Sequence, residues 1–300
     1  MPLSQLLEVA ARGFAIPTQV MPRRSLALGT SLSSYGAGAL LLIALGVSGL
    51  AAAAPATVFL EEMTSPEVKN ALSAGKTTII LPVGGTEQNG PHMTLGKHNV
   101  RVRFLAGRIA QQLDTALVAP VLSYVPEGSI SPPSGHMRFS GTISVSEDAF
   151  KAVLVGAANS LRQHGFLDIV LLGDHGGYQD QLRKVATQLN RAWLGTPARV
   201  HFIADYYRAS QIDFARSLRG TGLSEAQIGA HAGAADTSLA LAIDPSLVRV
   251  DQLLIAAQGG KAMGVEGDPR ASSAALGQAG VDSVVKSSVG AIRSAVSARR

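Results

Sequence analysis

Residues 78–99 read TIILPVGGTEQNGPHMTLGKHN. Thr78–Val83 is a short apolar run rich in β-branched side chains, the length and composition of a buried strand. The Gly, Pro and polar residues that follow it turn the chain instead of extending it. A buried strand that empties into a polar turn and then a helix is the repeating unit of α/β proteins. The same reading applies to Ala116–Val121 (ALVAPV), Asp168–Leu172 (DIVLL) and Arg199–Ala204 (RVHFIA). Helices are predicted between and after them, over Val100–Leu113, Gln179–Trp193, Ile212–Leu218, Asp236–Ile243 and about Val281–Ala298. Ser146 caps a further helix running to about His164, whose apolar positions Phe150, Val153, Leu154, Ala157 and Leu161 keep the helical rhythm before Gly165 stops it. The alternation predicts an α/β fold: a three-layer αβα sandwich with a mainly parallel central sheet.

The 300 residues, 46% hydrophobic and 16% charged, are enough for one sizeable core and far from a disordered composition. No fixed-period repeat appears, so one domain is expected over 55–300. The formal charge of +5 includes Arg12, Arg23 and Arg24 against Glu8 in the first 54 residues, which leaves +3 for the rest. Basic residues there are scattered and aromatics are 5%, so no nucleic-acid partner is expected. There is no cysteine, so thiolate nucleophiles, thiolate metal sites and disulfides are excluded.

Residues 37–54, AGALLLIALGVSGLAAAA, form an uncharged apolar run preceded by Arg23–Arg24 within PRRSLAL and ending in small residues. This reads as an export signal over 1–54, in part of the twin-arginine type, or as an N-terminal anchor if it stays uncleaved. The expected location is periplasmic or secreted, with a membrane partner only in the uncleaved case.

In open parallel sheets ligands bind beyond the carboxyl ends of the strands. The loop after Val83 offers Glu87, Asn89, His92 and His98, and the loop after Leu172 offers Asp174 and His175. Imidazole with carboxylate suits a divalent ion such as Zn²⁺, and a catalytic centre needs about three protein ligands with one position open. Glu87, His98 and His175 are the candidate metal ligands. The alternative is that the glycines only make sharp turns and the histidines cap helices.

At these residues the chain resembles the creatininase (creatinine amidohydrolase) family. The resemblance is carried in order by GGTEQNGPHMTLGKH at 84–98, HMRFSGTIS at 136–144, GDHGGYQ at 173–179, HAGAADTS at 231–238 and GVEGDP at 264–269. It implies an αβα fold with a metal centre at the strand ends that hydrolyses C–N bonds of cyclic or linear amides, in a homo-oligomer. The family's first Glu falls on Glu87 and its histidine of the third block on His175. Three family ligands are absent: the His two residues after that Glu is Asn89, the bridging Asp is His98, and the Glu two residues after the third-block His is Gly177. An imidazole bridges two cations poorly, so one ion is expected, Zn²⁺ or else Mn²⁺.

His231 matches the family histidine that moves a proton near the substrate, and Asp236, one helical turn on, is placed to orient it; Asp236 also reads as a simple helix N-terminal charge. His136 is expected to contact substrate or complete the metal shell, Asn89 to brace the ligands, and His92 to hold the Pro91 turn. The expected reaction is attack of metal-bound hydroxide on the carbonyl of a small amide or short peptide, with His231 protonating the leaving nitrogen. The competing reading is an exported binding protein with the same fold and no catalysis.

Overall fold

The computed structural model describes residues 57–298, so the expected leader over 1–54 lies outside the described residues. Helix α1 (Ser65–Ser73) precedes strand β1 (Thr78–Val83), which is followed by α2 (Lys97–Leu113) and β2 (Ala116–Val118). Helix α3 (Glu147–Gln163) leads to β3 (Asp168–Gly173), α4 (Gln179–Ala192) and β4 (Arg199–Phe202). Then come the helices α5 (Ala204–Arg208), α6 (Phe214–Gly220), α7 (Glu225–Ile228), α8 (Ala234–Ile243), α9 (Leu253–Gly259) and α10 (Ala274–Ser297). No helix of the described residues is long and apolar enough to cross a membrane.

The four strands pair in parallel in the order β2-β1-β3-β4. Alternate side chains of a strand point to opposite faces. Ile79, Leu81, Ile169 and Leu171 pack with Phe150 and Leu154 of α3 and Leu182 and Val185 of α4. Ile80, Val170 and Leu172 pack on the other face with Val102 and Leu105 of α2, Leu239 of α8 and Val284 of α10. Each of these side chains is worth about 1.5–3 kcal/mol when fully buried, so both faces stay covered. The result is the expected αβα sandwich.

Strand β1 and α3 lie where the sequence puts them, and the Ser146 side chain accepts from the Ala149 amide as a cap should. On α3 the buried residues are Phe150, Leu154, Ala158 and Leu161, while Val153 is 52% exposed. Strand β2 stops at Val118 instead of Val121. Pro120 has no N–H to give the ladder, and the chain rejoins β1 only through the Val83–Leu122 bridge. Strand β4 ends at Phe202 because Ala204 already begins α5. Helix α10 begins at Ala274, seven residues before the predicted start at Val281. Gly277 and Gly280 read as loop residues, but a Cβ at Gly277 would lie 1.8 Å from the Ser238 carbonyl oxygen, so these glycines let α10 lie close against α8.

Strands β1 and β3 are neighbours, with Val83 opposite Gly173. The two polar loops therefore leave the same edge of the sheet side by side. The buried Tyr178 hydroxyl ties them together, lying 2.8 and 2.6 Å from the Val83 and Gly84 carbonyl oxygens and accepting from the Asp174 and His175 amides.

Candidate metal centre

Four side chains bring ligand atoms within 4.8 Å of one another: Glu87, Glu127, His136 and His175. Glu87 comes from the loop after β1, His175 from the loop after β3, and Glu127 and His136 from the long connection between β2 and α3. Glu87 is fully buried. Its Oε2 lies 3.1 Å from His136 Nε2 and 3.4 Å from His175 Nε2. Glu127 Oε2 lies 3.4 Å from His175 Nδ1. Yet Glu87 Oε2 and both Glu127 oxygens are buried without a hydrogen bond. Buried carboxylate oxygens left unpaired are costly, and here each of the two carboxylates turns one oxygen into the group where the two imidazoles converge. A divalent cation is the group whose charge and donor preference fit this set of two carboxylates and two imidazoles.

Electrostatics agree with that fit. Burial, followed by the nearby Glu87 charge, pushes the Glu127 carboxyl up to about 9. Burial lowers His175 to about 4, so its imidazole is neutral and able to ligate. For Glu87 burial works upward, but the hydrogen bond from His98 and the neighbouring positive charges outweigh it and hold the carboxyl well below its usual range.

The other oxygen of Glu87 faces a different set of residues, set out along the first turns of α2. Glu87 Oε1 is 2.8 Å from His98 Nε2 and 3.8 Å from Lys97 Nζ. His98 Nδ1 is 2.6 Å from Asp174 Oδ2, which also accepts from Arg101 Nε at 2.7 Å. Arg101 Nη1 and Lys97 Nζ donate to the two oxygens of Asp236 at 2.9 and 2.8 Å. Tyr206 donates to Asp174 Oδ1 at 2.6 Å. Lys97 and Arg101 are each 1% exposed. Burial alone would raise Asp174 and Asp236, but the adjacent cations keep both carboxyls low and ionised.

His231 lies above this floor, its Nδ1 3.7 Å from Glu87 Oε1. Its Nε2 is 3.0 Å from the Gln88 carbonyl oxygen, which can only accept, so Nε2 carries the hydrogen and Nδ1 presents a lone pair. Burial, then the Lys97 charge, lowers its pKa to about 3. The Gln88 side-chain amide is 3.1 Å from His136 Nδ1 and donates to the Gly264 carbonyl at 3.0 Å, tying three loops together. A cavity of about 360 Å³ opens over these groups, walled by Gln88, His136, Tyr207 and His231 and floored by Lys97, His98, Asp174 and Asp236.

The sequence profile described as Creatininase: Creatinine amidohydrolase matches residues 61–292. The chain belongs to the creatininase family. Among curated relatives, it is 29% identical over 185 residues to the mycofactocin precursor peptide peptidase of Mycobacterium ulcerans (strain Agy99), covering 59% of this chain and 62% of that protein. To the 3-dehydro-scyllo-inosose hydrolase of Thermotoga maritima it is 27% identical over 195 residues, 65% of this chain and 58% of that protein. To the creatinine amidohydrolase of Pseudomonas putida it is 29% identical over 119 residues, 40% of this chain and 45% of that protein. These alignments thus span less than two thirds of each relative. A solved structure described as "Creatininase Mn" superposes with a TM-score of 0.66 at 23% identity, over 80% of this chain and 99% of that one, which establishes the fold. The αβα architecture and the family expected from the motifs both hold.

Set against the creatininase pattern, the candidate residues divide. Glu87 and His175 stand in the converging group, and His136 joins them. His98 adjoins Glu87 but lies outside that group, with both ring nitrogens already facing carboxylates. Asp236 does not orient His231 by a hydrogen bond; its oxygens are taken by Lys97, Arg101 and the Ala232 amide. Asn89 braces the first loop by donating to the Glu87 and Thr94 carbonyls. His92 bonds Thr237 of α8 through Nε2, and its carbonyl accepts from the Arg249 amide.

Glu127 escapes a reading of the motifs, because it lies in an aperiodic connection far from the strand-end loops. Its signal in the sequence is a carboxylate set between Pro126 and Gly128. Gly85 makes room for it: a Cβ there would lie 2.6 Å from Glu127 Oε1. Lys97 and Arg101 escape for another reason, since a cation in a polar loop or on a predicted helix reads as solvated.

Proposed function

We propose that this chain is a metal-dependent hydrolase of C–N bonds in cyclic or linear amides, with one Zn²⁺ or Mn²⁺ ion held by Glu87, Glu127 and His175. The observation that carries this reading is the convergence of those three side chains with His136 around buried oxygens that nothing else satisfies. Once bound, such an ion supplies a water of lowered pKa and a Lewis acid for the amide carbonyl. A Cβ on Gly177 would lie 3.7 Å from the Pro126 carbonyl oxygen, so the loop bearing Glu127 passes close to the position where the family carries its further Glu. In this reading Glu127 replaces that lost carboxylate.

His98, read from sequence as the third ligand, instead links Glu87 to Asp174 and fixes the carboxylate in place. His136 has the most exposed side chain of the four, at 25%, and its Nδ1 takes a hydrogen bond from Gln88, so its Nε2 keeps a hydrogen to offer the substrate. His231 enters the reaction neutral. It accepts a proton at Nδ1 during attack on the carbonyl and returns it to the leaving nitrogen, which could not depart readily as an amide anion; a positioned group of this kind is worth about 10² to 10⁴ in rate.

The cavity of about 360 Å³ fits a small amide or one end of a short peptide. The uncharged run at 37–54 supports export to the periplasm or beyond, and the exposed Tyr124 and Ile130 offer apolar surface for a homo-oligomer. Elemental analysis of the purified protein with an amide and dipeptide screen tests the proposal. We expect about one Zn or Mn per chain, and loss of both metal and turnover in His175→Ala. A protein without metal and without amidase activity after Zn²⁺ or Mn²⁺ is added would instead be a binding protein on a hydrolase fold.

A further inference from the structure

The residue before His98 is a lysine, Lys97. That lysine is buried at the centre of the site, its Nζ 2.8 Å from Asp236 and 3.8 Å from Glu87 Oε1. A buried ammonium beside a metal-binding carboxylate is a competitor for the charge that attracts cations. Beside it Arg101 is equally buried and is committed to Asp174 and Asp236.

We propose that the Lys97 ammonium, backed by Arg101, serves as a built-in cation on the Oε1 side of Glu87 and thereby limits the centre to a single divalent ion on the Oε2 side. The inference rests on the metal-site reading above and goes beyond it by naming the residues that exclude a second ion. Charge balance supports it. Four buried carboxylates (Glu87, Glu127, Asp174 and Asp236) face two buried cations, Lys97 and Arg101. Each of these two cations takes up negative charge that a second divalent ion would need as its counter-charge in a dry site. Geometry supports it too: Oε1 is already occupied by Lys97 and His98, while Oε2 has no hydrogen bond.

The sign of the predicted effect separates this role from a structural one. A substitution that merely damages the fold weakens metal binding, whereas removal of a competing charge strengthens it. Calorimetric titration of the metal-free protein with Zn²⁺ should saturate at one ion per chain. Lys97→Met should bind Zn²⁺ at least tenfold more tightly or accept a second ion, and Lys97→Arg should restore the single-ion behaviour. Circular dichroism checks that each variant is folded; if Lys97→Met is not, Lys97→Gln takes its place. Two ions per wild-type chain, or weaker Zn²⁺ binding in a folded neutral variant, would overturn this inference and leave the metal site intact. A wild-type chain that takes up no ion would overturn the metal site and this inference with it.

Discussion

On one side of the Glu87 carboxylate, Lys97, His98, Arg101, Asp174 and Asp236 form a network with no unpartnered buried side-chain atom among them. On the other side, Glu87 Oε2 and both oxygens of Glu127 have no hydrogen bond, although His136 and His175 stand 3.1–3.4 Å away. Both sides are buried and both are rich in charge. The difference lies in completion. A satisfied network holds its members in one geometry, while an incomplete one keeps donors poised for a group still to arrive. The completed side is the frame, and the incomplete side is where a ligand belongs.

Breaking the frame should have the largest effect on stability. Arg101→Met leaves Asp174 and Asp236 short of their shared partner in a dry site, so a loss of about 3–5 kcal/mol is expected in chemical denaturation. Arg103, two residues on, pairs at the surface with Glu61 and Glu62. Arg103→Met is expected to lose less than about 1 kcal/mol. Equal losses at the two positions would dissolve the distinction between the frame and the ordinary surface.

The incomplete side should reveal itself more gently, through pH. Glu127 is raised from 4.5 to about 9 in the folded, metal-free protein. A carboxyl raised in this way favours the folded state while protonated, so its contribution is full below pH 4.5 and is lost as pH climbs toward 9. Metal-free protein should therefore lose stability across that window, and Glu127→Gln should flatten the loss. At pH 7 metal uptake should release about one proton, seen as a dependence of binding heat on buffer ionisation enthalpy. An unchanged pH profile in Glu127→Gln would show that this carboxyl is not the strained group.

How much of this was legible in the sequence follows from where each signal lies. Thr78–Val83 is apolar because both of its faces are covered, so its composition alone marked it. Ser146 and the apolar rhythm behind it marked α3. The loops after β1 and β3 were marked by their motifs, and the pairing of those strands brings Glu87 and His175 together. Glu127 could not be read in this way: its position depends on a long connection returning over Gly85 and Gly177, which no local pattern encodes. His98 looked like a ligand because its type and spacing suit one. In the folded chain its two nitrogens face Asp174 and Glu87, an arrangement that no local pattern encodes. Lys97 and Arg101 lie one turn apart on α2, a spacing shared by many exposed helix faces. The burial of their heads is a product of tertiary packing.

The central claim is that the ion binds on the Glu127 side of Glu87 and not on the His98 side. Zn²⁺ titration of Glu127→Gln and His98→Gln, each checked for folding, tests this most directly. The account predicts that Glu127→Gln loses stoichiometric binding while His98→Gln still takes up one ion per chain. Retained binding in a folded Glu127→Gln together with loss in a folded His98→Gln would contradict it and return the ligand set to Glu87, His98 and His175.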